Sequence, residues 1–311
     1  MEGYINEYME ELLQERHMSK NTLDAYNRDV REFQKFIKNK GVLSISELSE
    51  TDVASYVMEL RDKDLSGSTI NRRMSSIRSY GSFLQRRGIL KSNPAERIRP
   101  PKTEKKQVEY LTVEEVDSII NAPDSSVKGL RDRAIIEVLY GTGIRVTEIT
   151  ELRMHEINTR LGFMTLNGVH GKGRIIPLGG PCKRAIERYV IESRPKLIKI
   201  KTENDRKNRS DADGTYEGDL GYLFVNHHGE KLTRQGLWKI VQKYAEKAGI
   251  SKNLTPQILR NSFAVHMVQN GADLKSIQEL MGYEDVSTAQ AYLSVTNNKI
   301  KEVFDRTHPR A

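Results

Sequence analysis

The stretch LTPQILRNSFAVHMVQNGADLKSIQELMGYEDVSTAQAYLSV, residues 254–295, sets the reading of the whole chain. Thr255-Pro256 opens a helix: the hydroxyl can cap free backbone N–H groups, and proline, which has no N–H, suits the first helical position. Gln257 and Arg260 follow three residues apart and so share a helix face. A helix N-terminus attracts anions through its unpaired N–H groups, and the guanidinium fork of Arg260 can engage phosphate oxygens with two parallel hydrogen bonds. His266, six residues further on, lies off that face and is expected to pack. The turn MGYEDVS (281–287) then leads into a short helix that carries Tyr292.

Upstream, Leu130, Ala134, Val138 and Leu139 keep helical spacing until Gly141-Thr142-Gly143 halts the helix. Arg145 follows that stop, and Ile149 and Leu152 belong to a further helix. Between residues 162 and 178 the period changes: FMTLNG and RIIPL read as paired strands around VHGKG, which predicts a β-hairpin with Lys172 near its tip. Residues 202–218, TENDRKNRSDADGTYEG, have one bulky apolar side chain and are expected to form a mobile insertion. Thr112 and Glu115 match a capping box ahead of Val116, Ile119 and Ile120.

At 311 residues the chain is long enough for two hydrophobic cores. The capping box opens the second domain, expected over residues 109–311. Before it, NPAERIRPPKTEKK (93–106) combines three prolines with a run of basic residues, so residues 91–108 are expected to be a basic linker. Residues 1–90 read as four helices. Tyr4, Tyr8 and Leu12 form one stripe, and Leu23, Tyr26, Val30, Phe33 and Ile37 follow helical spacing between Ser19 and Gly41. A third helix runs from Thr51 to Leu60. A fourth starts near Ser68 and buries Ile70, Met74, Ile77 and Leu84, leaving Arg72, Arg73 and Arg78 for other faces. The expected fold is mainly α, with a helical first domain and a mixed α+β second domain containing a small β-hairpin.

Lys plus Arg number 50 against 42 Asp plus Glu, a formal charge of +8 that favours polyanionic partners without identifying one. Cys182 is the only cysteine, so neither an intrachain disulfide nor a cysteine metal site can form, which fits a reducing compartment. The N-terminus is acidic and amphipathic, and no run approaches the roughly 18 apolar residues of a membrane span. A soluble cytoplasmic protein is expected. No P-loop and no metal-ligand spacing is evident, so no cofactor and no metal are expected.

The opening segment resembles the C-terminal motif block of the tyrosine-type site-specific recombinases, the phage integrase family. LYGTGIRVTEITEL (139–152), GKGRIIPL (171–178), YLFVNHHGEKLTRQGLWKI (222–240) and the terminal HPRA resemble that family in the same order. MSKNTLDAYNRDVREFQKFI (18–37) and STINRRMSSIRSYGSFL (68–84) are similar to its helical core-binding, SAM-like domain, above all in the Xer-type members. The resemblance implies that Tyr292 attacks phosphorus to leave a 3′-phosphotyrosyl bond and a free 5′-hydroxyl. Arg145 and Arg260 correspond to the family's arginine pair, and Lys172 to the lysine that protonates the departing oxygen. It further implies a tetramer on two DNA duplexes, homomeric or with a second recombinase, in which the tail docks on a neighbouring protomer.

Two positions depart from the family pattern. Gln257 stands where the family has the histidine of His-x-x-Arg, and Tyr283 where it has His or Trp. Glutamine can hydrogen-bond a phosphate or a phenol but cannot take a proton near neutral pH. These departures leave open an alternative, a catalytically impaired relative acting as a DNA-binding or regulatory module. Arg72, Arg73, Arg78, Lys102, Lys105 and Lys106 are the expected phosphate contacts to duplex DNA with paired half-sites.

Overall fold

The computed structural model describes residues 2–14, 18, 20–99, 101, 107–167, 173–199, 221–251 and 253–293. Ser19, Lys102, Lys105, Lys106, Lys172, the insertion at 202–218 and the tail after residue 293 lie outside the described residues. The chain divides into two compact units, Met1–Lys106 and Gln107–Ala311.

Four helices form the first unit: α1 Glu2–Gln14, α2 Lys20–Asn39, α3 Glu50–Asp62 and α4 Gly67–Arg86. Side chains start two of them. The Asp52 carboxylate accepts the Ser49 N–H at 3.0 Å in a reciprocal capping box, and Ser66 Oγ accepts the Thr69 N–H at 3.3 Å. The helical stripes read from the sequence form the core: Tyr8, Leu12, Val30, Phe33, Ile37, Met74 and Leu84 are fully buried. Each contributes roughly 1.5–3 kcal/mol by leaving water. Tyr8 lies 5.2 Å from the Tyr80 ring and 5.4 Å from Phe83, in the tilted arrangement that aromatic quadrupoles favour.

A polar seam runs through the same bundle. Asp29 on α2 is fully buried, and an unpaired carboxylate there would cost several kcal/mol. Arg72 on α4 pairs with it, and Ser76 Oγ donates to it at 2.9 Å. Arg73 pairs with Glu32. Arg78 donates from Nε to the Ala95 carbonyl at 3.1 Å and from Nη2 to the Ile98 carbonyl at 2.9 Å. These arginines therefore tie α4 to α2 and to the chain that follows it. The segment after α4 is held on the first unit: Ala95 is buried, and Asn93 Nδ2 donates to the Arg78 carbonyl at 2.9 Å. Composition alone hides this, because one asparagine and one arginine do the work of a hydrophobic face.

In the second unit, α5 Val113–Asn121 carries the expected capping box at Thr112 and Glu115. Helix α6, Val127–Thr142, is buried on nearly every side, which makes it the central element of this core. Two of its buried charges are matched: Arg131 donates to Asp132 at 2.8 and 2.7 Å, and the Tyr244 hydroxyl donates to Asp132 at 2.9 Å. Gly143 ends α6 with φ +59, and a Cβ there would lie 2.5 Å from the Phe263 ring, so both strain and space demand glycine. A short helix, α7 Val146–Glu151, follows.

The hairpin is part of a three-stranded antiparallel sheet, β1 Ile157–Asn158, β2 Phe163–Leu166 and β3 Arg174–Pro177, in that order. Strand β1 adds an edge too short to leave a periodic signal. Met164 pairs with Ile176 and Leu166 with Arg174. Since alternate residues of a strand share a face, Arg174 lies on the same side as the buried Ile176. Helix α8, Gly180–Arg188, buries Cys182, whose thiol is pushed up to about 12 by burial and then by nearby Glu137. The helical chain runs on past α8 to residue 199, and after it come α9 Arg234–Lys247, α10 Pro256–Gln269 and α11 Leu274–Met281, followed by α12 at residues 286–293. Among the described residues no helix is long and apolar enough to cross a membrane.

Candidate active site

Helix α11 ends at Gly282, whose φ of +63 turns the chain out of the helix. The last carbonyls of any helix lack intrahelical donors and carry the negative end of its dipole. Three guanidinium groups from three elements supply the missing donors here. Arg174 of β3 donates from Nε to the Leu280 carbonyl at 2.8 Å, Arg260 of α10 donates to the Met281 carbonyl at 2.7 Å, and Arg145 donates to the Gly282 carbonyl. A Cβ on residue 282 would sit 2.7 Å from Arg174 Nη1 and 3.1 Å from Arg145 Nη1. Glycine is thus required both for the turn and for the approach of the arginines.

Glu148 keeps two of these cations, Arg145 and Arg174, together. Its carboxylate accepts the Arg145 N–H at 2.7 Å and Arg145 Nη1 at 2.9 Å, and takes both ends of the Arg174 fork at 2.7 and 2.8 Å. Burial alone would raise its pKa, but the Arg174 hydrogen bonds, joined by those of Arg145, outweigh it and hold the carboxyl below the usual glutamate range. A depressed carboxyl stabilises the fold above its unfolded pKa, and that stability is lost as pH falls through the folded value. Glu148→Gln should therefore cost about 2–3 kcal/mol at neutral pH and flatten the decline of stability below about pH 4.5. Urea titrations at pH 7 and pH 3 check this; an equal deficit at both would show that the charge is immaterial.

Arg260 is 3% exposed and also donates to the Gly143 carbonyl. Burial draws its pKa down from the ordinary arginine value, yet a guanidinium starts so high that it stays charged. The Arg145 and Arg260 guanidinium carbons stand 5.9 and 5.2 Å from the centre of the Tyr283 ring, a cation–π arrangement. The hydroxyls of Tyr283 and Tyr292 are 2.7 Å apart. Tyr292 is 4% exposed, and burial pushes its phenol above the usual tyrosine range.

Four of the six residues expected at the site, Arg145, Arg260, Tyr283 and Tyr292, thus form one connected group. Gln257 is exposed at the start of α10, and its Nε2 donates to Asn261 Oδ1 at 2.9 Å. Asn261 Oδ1 also lies 3.4 Å from the Tyr292 hydroxyl, which links Gln257 to the group at one remove. Lys172 lies outside the described residues. His266 packs, as expected: it is buried, its Nδ1 is 3.0 Å from the Tyr140 hydroxyl, and its ring meets Tyr110 edge-on.

Three contributors went unread in the sequence. Glu148 was legible in principle, because Arg145-x-x-Glu148 repeats the capping-box spacing of Thr112-x-x-Glu115. Arg174 depends on strand register, and Asn261 on a tertiary contact that no local pattern announces.

The phage integrase family model matches residues 109–299, and the model of the phage integrase N-terminal SAM-like domain matches residues 5–88. The chain is 38% identical over 313 residues to tyrosine recombinase XerD of Listeria monocytogenes serotype 4b (strain F2365), and 36% identical over 312 residues to tyrosine recombinase XerD of Staphylococcus haemolyticus (strain JCSC1435), each alignment spanning both chains completely. In fold it is similar to a lambda integrase dimer bound to a COC′ core site, with a TM-score of 0.70 at 16% identity over 94% of each chain. It is also similar to XerH site-specific recombinase bound to palindromic difH substrate, with a TM-score of 0.70 at 20% identity over 93% of this chain and 80% of that one. With both domain models matched in order and relatives aligned from end to end, the chain belongs to the phage integrase family of tyrosine-type site-specific recombinases.

Proposed function

We propose that this protein cuts and rejoins duplex DNA at paired half-sites, with Tyr292 as the nucleophile. The phenol oxygen attacks phosphorus and loses its proton to solvent, the bond from phosphorus to the 5′-oxygen breaks, and Lys172 supplies the proton that oxygen takes up. Rejoining is the reverse attack by a 5′-hydroxyl. One phosphoester replaces another of similar energy, so the cycle needs no ATP. Arg145 and Arg260 neutralise the nonbridging oxygens, a stabilisation that grows as negative charge develops. Tyr283 orients the phenol by a direct hydrogen bond, and Gln257 acts on it only through Asn261. The observation that carries this reading is the convergence of both arginines on the Tyr283 ring, 2.7 Å by hydroxyl from Tyr292.

The domain roles follow: residues 1–90 as a core-binding domain, 91–108 as a basic linker and 109–311 as the catalytic domain with a docking tail. Arg72 keeps 40% of its side chain exposed and remains a phosphate contact, along with Lys102, Lys105 and Lys106. Arg73, 16% exposed, and Arg78 are engaged by protein acceptors, which supports a structural share in their roles. The working assembly is a tetramer on two duplexes, homomeric or shared with a second recombinase. The cytoplasm suits a chain with a single buried cysteine.

The test is a nicked suicide duplex carrying a site mapped from DNA bound in cells, on which the protein should become covalently attached through Tyr292; a chain that binds the site and never attaches overturns the proposal. On the same substrate, Gln257→His should attach about tenfold faster at pH 8 and lose that advantage as pH falls through about 6.5, where imidazole protonates. An unchanged rate would mean that the phenol proton leaves without help from this position.

A further inference from the structure

We infer that Asn261 is a positioning residue for the nucleophile, fixing the direction of the Tyr292 O–H bond from an anchor on the main chain at Glu109. The inference rests on Tyr292 being the nucleophile and adds a residue to that chemistry. Asn261 Nδ2 donates to the Glu109 carbonyl at 3.0 Å. A carbonyl only accepts, so the amide nitrogen must face Glu109 and Oδ1 must face the other way. On that side Gln257 Nε2 donates to it at 2.9 Å and the Tyr292 hydroxyl lies at 3.4 Å.

The anchor is itself fastened. Ser262, the next residue of α10, accepts the Leu111 N–H at 2.9 Å and donates to the Ile258 carbonyl at 2.7 Å. Residues 109–111 are thereby pinned to two successive positions of one helix. Val108 and Tyr110 pack against the apolar cluster that includes Tyr292. Rotation of the Asn261 amide would break the Glu109 bond and bring its NH₂ towards the Gln257 donor, so its acceptor face is held towards the phenol.

The chemistry follows from what an amide oxygen can do. It accepts a hydrogen bond but is not basic enough to take the proton. Asn261 therefore steers the O–H away from the attacking lone pair without deprotonating it, while Tyr283 fixes the oxygen from a second side at 2.7 Å. Displacing a reacting atom by about 1 Å can cost around 10²-fold in rate.

The experiment follows single-turnover covalent attachment to the nicked suicide duplex from pH 5 to pH 9, with duplex affinity measured in parallel. Asn261→Ala should attach about 10–100-fold more slowly with affinity within about twofold of the unaltered chain. Asn261→Asp gives up the bond to the Glu109 carbonyl but keeps an acceptor oxygen that can also take a proton. It should attach faster than Asn261→Ala and show a rate that rises with pH through the carboxylate range, below about pH 6, in a way the unaltered chain does not. Should the alanine variant fail to fold, the aspartate profile decides alone. An alanine variant within threefold of normal, or an aspartate profile parallel to normal, overturns the role of Asn261 while attachment through Tyr292 stands. Attachment that survives Tyr292→Phe overturns the nucleophile assignment, and this inference with it.

Discussion

Tyr292→Phe should form no covalent DNA adduct while binding the same duplex as tightly as the unaltered chain. The substitution removes one oxygen and keeps the ring in the cluster formed by Ala264, Val265, Ile277, Met281 and Ala289. Its cost to folding is small, because the Tyr283 hydroxyl loses a single partner, a net change of about 1 kcal/mol. If Tyr292 is the nucleophile, as proposed, the cost to the chemistry is total. A general acid or base that is lost typically lowers a rate by about 10²–10⁴-fold, whereas a missing nucleophile leaves no bond to form. Denaturing electrophoresis of the suicide-substrate reaction separates the cases, since an adduct of any abundance in the phenylalanine variant would place the nucleophile elsewhere.

Arg260→Ala should lose both rate and stability, and the two losses have separate origins. The rate should fall by about 10³-fold, at the upper end of what a single preorganised donor contributes. Stability should fall because the carbonyls of Gly143 and Met281, at the ends of α6 and α11, lose their donor inside the protein. Each unsatisfied buried acceptor costs about 1–3 kcal/mol. Arg260→Lys keeps the charge but not the fork, so it cannot span both carbonyls and should recover only part of either loss. Thermal unfolding and single-turnover attachment, measured on the same preparations, test the pair. A destabilised variant with normal attachment would reduce Arg260 to a tie between two helix ends.

Much of this was legible in the sequence for physical reasons that can be named. Periodicity gave α1 to α4 because each buries a single face, as the stripe through Val30, Phe33 and Ile37 shows. Helix α6 fits that rule less well, being buried nearly all round, yet its end was marked by Gly143. The arginine pair and Tyr292 were found by motif order, not by any local energetic signal. What stayed hidden is what depends on long-range approach: Arg174 reaching Glu148 from a strand, Asn261 held by Glu109, and three arginines meeting at one helix end. The pairing of Arg72 with α2 was hidden for a related reason, since the burial of Asp29 on α2 cannot be read from α4.

The cluster at the end of α11 also has an ionic stoichiometry. Arg145, Arg174 and Arg260 bring three cations and Glu148 returns one anion, so the assembled group holds two uncompensated positive charges. A phosphodiester in its ground state carries one negative charge, and the five-coordinate arrangement reached during attack by a phenolate carries two. With Tyr292 as the proposed nucleophile, this cluster is closer to charge balance with the transition state than with the DNA it first meets. Binding leaves part of the electrostatic attraction unused until phosphorus is attacked, which is the condition under which charge accelerates a reaction instead of merely tightening a complex.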